Sequence, residues 1–160
     1  DANLYVRSIK GGLSGGTISS MINITEYIKS HPEKSKILKS HFSLNPTKKI
    51  KKNVQQLELK SVRWDSALKM WISPFLMSGI NTRVVRRTNA VAEFPYGENF
   101  KYNEVSSFDK GLAGFLKAFS MLMTLGFLQI SLRSNLLLWL LKKFIFPKPG
   151  EGPSKSKMEN

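Results

Sequence analysis

The feature that most constrains this chain is a long apolar stretch near its C-terminal end. Ala118 to Leu132 is 15 residues without a charge, bounded by Lys117 and Arg133. Ser134 to Leu141 adds eight uncharged residues before Lys142 and Lys143 close the run. As a helix the first piece spans about 22 Å at ~1.5 Å per residue. That is short for a crossing, because a hydrocarbon core about 30 Å thick usually takes ~20 residues. Two apolar pieces around Arg133 therefore predict a re-entrant helical hairpin or an interfacial helix pair. Its expected membrane contacts are Phe119, Leu122, Leu125, Phe127, Leu128 and Trp139, with Lys142 and Lys143 at the headgroups. Arg133 can snorkel if it lies near that boundary. A helix pair in a soluble core produces apolar runs of the same kind. From Lys110 to Gly150, however, there are six basic residues and no acid, which favours an anionic membrane surface.

Upstream, the chain reads as strands and helices in alternation. Leu4 to Ile9 is rich in β-formers and predicts a strand. Gly11-Gly12-Leu13-Ser14-Gly15-Gly16 breaks it. Thr17 then opens a helix with Ile18, Met21, Ile22 and Ile28 on one face. The helix should stop before His31-Pro32, since a residue preceding proline avoids the helical region. Ser30 to Lys60 carries eight lysines against Glu33 and Glu58. It includes the basic run Lys48-Lys49-Ile50-Lys51-Lys52 and predicts a surface excursion with one short helix near Lys36 to Ser40. Leu57 to Val62 predicts a short strand, and the aromatic stretch Trp64 to Phe75 predicts packing. Ser78 to Ala92 predicts a second helix capped by Ser78, with Ile80, Val84, Val85 and Val91 on an apolar stripe. Phe94-Pro95-Tyr96-Gly97 ends it, and Phe100 to Val105 alternates like a strand.

Charge and residue types narrow the chemistry. The 25 Lys and Arg against 11 Asp and Glu leave a formal charge of +14, which attracts phosphates on lipid, nucleic acid or cofactor alike. The lysine-rich excursion lacks aromatic interleaving, so nucleic-acid binding is the weakest of these. There is no Cys, hence no disulfide, thiolate zinc site or catalytic thiol. His31 and His41 lack ligand spacing and read as surface residues; Glu26 and Asp65 are isolated carboxylates.

Two runs carry candidate chemistry. The helix start at Gly15, Gly16 and Thr17 offers free backbone N–H groups to an anion. The glycine spacing matches neither G-x-G-x-x-G nor the P-loop pattern, and a tight strand-to-helix turn explains the same residues. In Thr82-Arg83-Val84-Val85-Arg86-Arg87-Thr88-Asn89, Arg83, Arg86 and Arg87 share one side of a helix through i,i+3 and i,i+4 spacing. They could grip a phosphate or carboxylate, or form a solvated face.

Five runs in order carry a resemblance: Gly11-Gly12-Leu13-Ser14-Gly15-Gly16-Thr17-Ile18-Ser19-Ser20, Trp71-Ile72-Ser73-Pro74-Phe75-Leu76-Met77, Thr82 to Asn89, Tyr96-Gly97-Glu98-Asn99-Phe100-Lys101-Tyr102, and Pro147-Lys148-Pro149-Gly150-Glu151-Gly152-Pro153-Ser154. Together they resemble the second half of the saccharopine dehydrogenase-like oxidoreductases, also called the trans-acting enoyl reductase family. The resemblance implies a Rossmann domain before Asp1 that binds NAD(P), with no cofactor held by this chain alone. It implies an α+β fold class here: a mixed sheet with helices, as in an incomplete saccharopine reductase-like C-terminal domain, interrupted by the apolar hairpin. It also implies substrate and dimer contacts, further strands after Asn160, and association with membranes or lipid droplets, at the endoplasmic reticulum or mitochondrion among other sites.

The expected organisation is thus an α+β region over residues 1–109, a membrane-seeking segment over 110–146 and a linker over 147–160. Gly15, Gly16, Thr17, Arg83, Arg86 and Arg87 are expected at a cleft, binding an anionic part of a substrate or the cofactor phosphate. The competing expectation is a non-catalytic, membrane-anchored interaction module, whose partners are the membrane and the remainder of its own polypeptide.

Overall fold

The computed structural model describes residues 1–9, 14–46, 58–148 and 150–152. Gly11 to Leu13, the Lys48 to Lys52 run, Leu57, Pro149 and Pro153-Ser154 lie outside the described residues. The fold is α+β. Among the described residues it has five α-helices and four strands in one small mixed sheet. The chain divides into two compact units, Asp1–Arg7 with Lys36–Met123, and Ser8–Ser35 with Thr124–Asn160.

The first unit holds the sheet. Strand β1 (Ala2–Val6) pairs parallel with β4 (Tyr102–Phe108). β4 pairs antiparallel with β3 (Met70–Pro74), and β3 pairs antiparallel with β2 (Arg63–Asp65). The order is therefore β1-β4-β3-β2. The first strand begins and ends earlier than Leu4 to Ile9, and Ile9 is exposed beyond it. Residues 58–62 form no strand. The Trp64 to Phe75 stretch is instead a β-hairpin. Asp65 Oδ1 accepts the backbone N–H groups of Ala67 and Leu68, at 3.0 and 3.1 Å, so one aspartate side chain builds the turn.

Two helices accompany the sheet. Helix α2 (Ser35–Lys39) falls where a short helix was expected. Helix α3 (Ser78–Val91) packs on β4. Its cap position is Met77, with no side-chain capping bond, and Ser78 is its first residue. The face α3 buries differs from the apolar stripe read in the sequence. Ile80, Val84 and Val91 are 50%, 48% and 58% exposed, whereas Thr82, Arg86, Asn89 and Ala90 are buried. The reason is the sheet face below, which is polar at Glu104 and Ser106 and calls for hydrogen-bonding partners. Asn81 Nδ2 and the Tyr102 hydroxyl donate to the two Glu104 carboxylate oxygens, at 2.8 and 2.9 Å.

The second unit begins with α1 (Gly15–Ser30). Ser14 caps it by accepting the Thr17 N–H at 3.2 Å, and Thr17 lies in its first turn. It ends at Ser30, before His31-Pro32, where a 3-10 turn (Pro32–Lys34) follows. Ile18 and Ile22 pack with Leu138, flanked by Leu132 and Phe146, as this unit's core.

Helix α4 (Gly111–Arg133) starts in the first unit and ends in the second, and α5 (Asn135–Phe144) follows it. At 23 residues α4 is longer than the uncharged run. By length and composition it is able to cross a membrane, with a mean hydropathy of 1.6. The expected hairpin is not formed. Only Ser134 separates α4 from α5, and an antiparallel helix pair takes a loop of about two to five residues. Ser134 breaks the helix by accepting the Leu137 N–H as the cap of α5.

Candidate functional site

All four strands contribute to a concave sheet face. Successive paired residues place Asn3 and Tyr5 of β1, Asn103 and Val105 of β4, Ile72 of β3, and Arg63 and Asp65 of β2 on one side. They line a cavity of about 280 Å³, to which Asp1, Leu59 and Lys101 also contribute. Ile72 and Val105 are 2% and 6% exposed and form its apolar floor. β1 and β2 are the two edge strands, three pairings apart, or about 14 Å across a flat sheet at ~4.8 Å per strand. Even so, the Tyr5 hydroxyl donates to Asp65 Oδ2 at 2.9 Å. The sheet must therefore curl strongly, and this bond clasps its two edges.

The clasp sets the electrostatics of the cavity. The Leu68 N–H holds the Asp65 carboxyl below its ordinary range, against some desolvation, and the Tyr5 hydroxyl, the Ala67 N–H and Arg63 add to the effect. Burial pushes the Tyr5 hydroxyl up, and its bond to Asp65 reinforces that. Both Asp65 oxygens are thus committed within the protein. Among the described residues neither Arg63 nor Lys101 forms an ion pair. At the opposite edge Asn103 Nδ2 donates to Asn3 Oδ1 at 3.3 Å. Asp65, an isolated carboxylate in the sequence, is thus a turn and clasp residue, and Asp65-Ser66 within an aromatic run is the local signal for that turn.

The three arginines of α3 share one side of the helix, as their spacing requires, and they face backbone carbonyls. Arg83 donates to the carbonyls of Gly79, Leu38 and Ser40, and Arg87 to that of Leu44. Arg86 is 3% exposed and donates to the carbonyls of His41 and Tyr102, at 3.4 and 3.2 Å. Its guanidinium lies over the Phe42 ring, and burial lowers its pKa, offset in part by Glu58. The arginines thereby tie the 38–44 segment to α3. His41 is half-buried rather than at the surface, with Nδ1 3.0 Å from Glu58 Oε1. His31 is exposed and stacks on Tyr27.

Gly15, Gly16 and Thr17 lie in the other unit, at the start of α1. There the Gly15 N–H donates to the Glu151 carbonyl at 2.8 Å, and the Thr17 N–H donates to Ser14 Oγ. A Cβ at residue 15 would lie 1.9 Å from the Lys148 carbonyl oxygen. The Gly15 and Thr17 N–H groups at this helix start are therefore taken up within the protein. Glu26 is exposed and pairs with Lys142 at 3.6 Å. No group of His, Asp and Glu among the described residues could hold a metal ion.

The residues expected to touch a membrane divide by exposure. Phe119, Phe127, Trp139, Lys142 and Lys143 are exposed, and Leu122, Leu125 and Leu128 are half-buried. Lys143 Nζ lies over the Trp139 ring, 4.9 Å from its centre. Along α4 the exposed large residues are Leu112, Leu116, Phe119, Met123, Phe127 and Ile130. Their spacing of three and four residues makes one continuous apolar stripe. Gly114, Ala118 and Ser131 are buried.

What the chain is similar to is a class of reductases. No family model matches it, and no solved structure does. It is 33% identical over 168 aligned positions to a Mycobacterium tuberculosis protein named as a candidate trans-acting enoyl reductase. It is 28% and 26% identical, over the same length, to the trans-acting enoyl reductases of Mycobacterium bovis and Mycobacterium ulcerans. Each alignment covers 99% of this chain and 40% of the relative. The chain is thus homologous to mycobacterial trans-acting enoyl reductases, and spans about two fifths of the length of the curated relatives it matches.

Proposed function

We propose that the chain is part of an oxidoreductase that reduces enoyl groups with a nicotinamide cofactor, and that it supplies an α+β region on the substrate side. The observation that carries this reading is the similarity to named enoyl reductases along 99% of the chain. The internal partners of the Gly15 and Thr17 N–H groups at the start of α1 support placing NAD(P) on other parts of the full-length protein, as the saccharopine dehydrogenase-like resemblance implies. Dimer contacts and contacts with the rest of the polypeptide belong to the same reading. The test is direct. Full-length protein is incubated with NADH or NADPH and an α,β-unsaturated acyl thioester, free or carrier-bound. Thioester-dependent loss of reduced nicotinamide is expected. No turnover with either cofactor and either thioester form overturns the reading.

The exposed stripe on α4 favours a second element, membrane association, with a lipid droplet, the endoplasmic reticulum or the mitochondrion as candidate sites. Only 11% of the most apolar window of α4 is buried, and nearby charge is exclusively basic from Lys110 to Gly150. An apolar face flanked by cations suits an anionic lipid surface. Flotation of the full-length protein with phosphatidylserine vesicles and with triacylglycerol droplets tests it. Replacing Phe119 and Phe127 by Ser should release the protein; unchanged flotation removes the role of this stripe. If the protein floats and no reductase activity is found, it is a membrane-anchored interaction module instead.

A further inference from the structure

Helix α5 carries an exposed apolar face of its own, with a lysine set inside it. We propose that α5 lies flat in the headgroup layer of an anionic bilayer and that Lys143 selects the anionic lipid. This rests on the membrane reading above and adds to it the element at the surface, its orientation and the lipid it meets. Leu138 and Leu141 point into the protein, where Leu138 packs with Ile18 and Ile22 of α1. On another side Leu136, Leu140 and Phe144 follow one another at i,i+4 spacing beside Trp139, and all four are exposed. The helix has ten residues, or about 15 Å at ~1.5 Å per residue. That is half of a hydrocarbon core about 30 Å thick, so α5 cannot cross and must lie in the plane with this face toward the acyl chains.

Lys143 decides what this face meets. Its Nζ lies 4.9 Å from the centre of the Trp139 ring and 5.3 Å from that of Phe144. The apolar face therefore holds a cation between its two aromatic rings. Among the described residues Lys143 forms no ion pair, and Glu26, which reaches α5 from α1, is taken by Lys142 at 3.6 Å. A protein surface closing over this face would bury the ammonium and would have to bring its own carboxylate. A second copy docked through the same face would set two Lys143 side chains against each other. A headgroup layer suits both parts at once. The leucines and rings enter below the phosphates, and Lys143 reaches up to them. From Lys110 to Gly150 there is no Asp or Glu to repel an anionic surface.

The experiment measures partition of full-length protein onto phosphatidylcholine vesicles with and without phosphatidylserine. Wild type should bind the phosphatidylserine vesicles more tightly. Lys143→Gln should weaken that binding about 5-fold, the ~1 kcal/mol that one basic residue is worth at an anionic surface, and leave phosphatidylcholine binding unchanged. Trp139→Ser with Phe144→Ser should weaken binding to both vesicles at least ~10-fold, since it removes the two largest apolar contacts of the face. These side chains are exposed, so the variants should fold, and their melting temperatures check this. If the double variant does not fold, Lys143→Gln decides alone. Wild type that binds both vesicles equally, or a Lys143→Gln variant that keeps the full preference, overturns the proposal. So does a double variant that binds as wild type does, the result expected if another part of the polypeptide or a second copy covers this face. In each of those cases the protein still binds vesicles and the membrane reading stands; wild type that binds neither vesicles nor triacylglycerol droplets overturns both.

Discussion

Gly15 lies directly against the carbonyl of Lys148: a Cβ at residue 15 would stand 1.9 Å from that oxygen. The contact joins two residues that are 133 positions apart in the sequence, one in the glycine-rich helix start and one in the closing turn. Each run had separate reasons to contain glycine. Their contact supplies a shared one, because only a residue without a side chain lets the turn close over the start of α1.

Gly15→Ala should therefore destabilise the protein by about 1–3 kcal/mol, the usual cost of forcing a methyl group into filled space. Gly16 is the control. A Cβ there meets only Ser14 Oγ at 3.8 Å, so Gly16→Ala should be neutral or stabilise by up to about 1 kcal/mol through helix propensity. Urea denaturation of the two variants beside wild type separates them; equal midpoints would refute the close contact.

The Tyr5–Asp65 clasp predicts opposite pH dependences for its two ends. Asp65 has a folded pKa below its ordinary 3.8. Its contribution is present above that value and is lost as pH falls through the depressed folded pKa. Tyr5 has a folded pKa above its ordinary 10.0, so its contribution is present below that value and fades as pH rises through the raised one. Asp65→Asn should flatten the acid limb of the stability profile and Tyr5→Phe the alkaline limb. Thermal melts across pH test both; a Tyr5→Phe variant with the wild-type alkaline limb would contradict the assignment.

Arg86 and Arg87 are neighbours with different expected costs. Arg86→Leu removes a buried guanidinium's hydrogen bonds to the carbonyls of His41 and Tyr102 and should cost about 2 kcal/mol or more. Arg87 is exposed, and Arg87→Ala should cost at most about 1 kcal/mol. Equilibrium unfolding of each variant gives the comparison, and equal losses would mean that burial of Arg86 does not matter.

Asn89 secures the loop after α3 with both ends of its amide. Its Oδ1 accepts the Tyr96 N–H at 3.1 Å, and its Nδ2 donates to the Gly97 carbonyl at 3.0 Å. Asn89→Asp keeps the acceptor, loses the donor and sets a carboxylate against that carbonyl. The variant should lose about 1–3 kcal/mol at neutral pH. It should recover part of this as pH falls below about 4, where a protonated acid can again donate. Stability measured against pH relative to wild type shows whether the gap narrows.

Where the sequence was readable, the deciding forces were local. The end of α1 was legible because His31-Pro32 excludes the helical region by contact between adjacent residues. The α2 position and most of α3 followed from turn residues and helical spacing. The hairpin of β2 and β3 was missed because its turn depends on one aspartate side chain, inside a stretch whose aromatic content pointed only to packing. The two apolar pieces point to a helix break near Arg133, and the residue that makes it is Ser134, through a capping bond.

The inner face of α3 could not be read from apolar periodicity. Periodicity assumes that the buried side is the apolar side, and here the sheet below offers Glu104 and Ser106. Of the expected site residues, the three arginines came together as their i,i+3 and i,i+4 spacing requires. What their guanidinium groups meet was not legible, since Arg86 donates to Tyr102, 16 positions away. The concave sheet face was invisible in the sequence for the same reason: Tyr5 and Asp65 meet across 60 positions.

The sequence by itself determined the basic charge, the long apolar stretch, the helices with their local stops, and the likeness to reductases along the chain. These depend on composition and on neighbours within a turn or two. The tertiary structure alone decided which side of α3 faces inward, which glycine lies under a carbonyl, and where Arg63 and Lys101 share a cavity. Each of those is a pairing between distant segments, and the free energy that selects it resides in burial and hydrogen bonding, not in any local pattern.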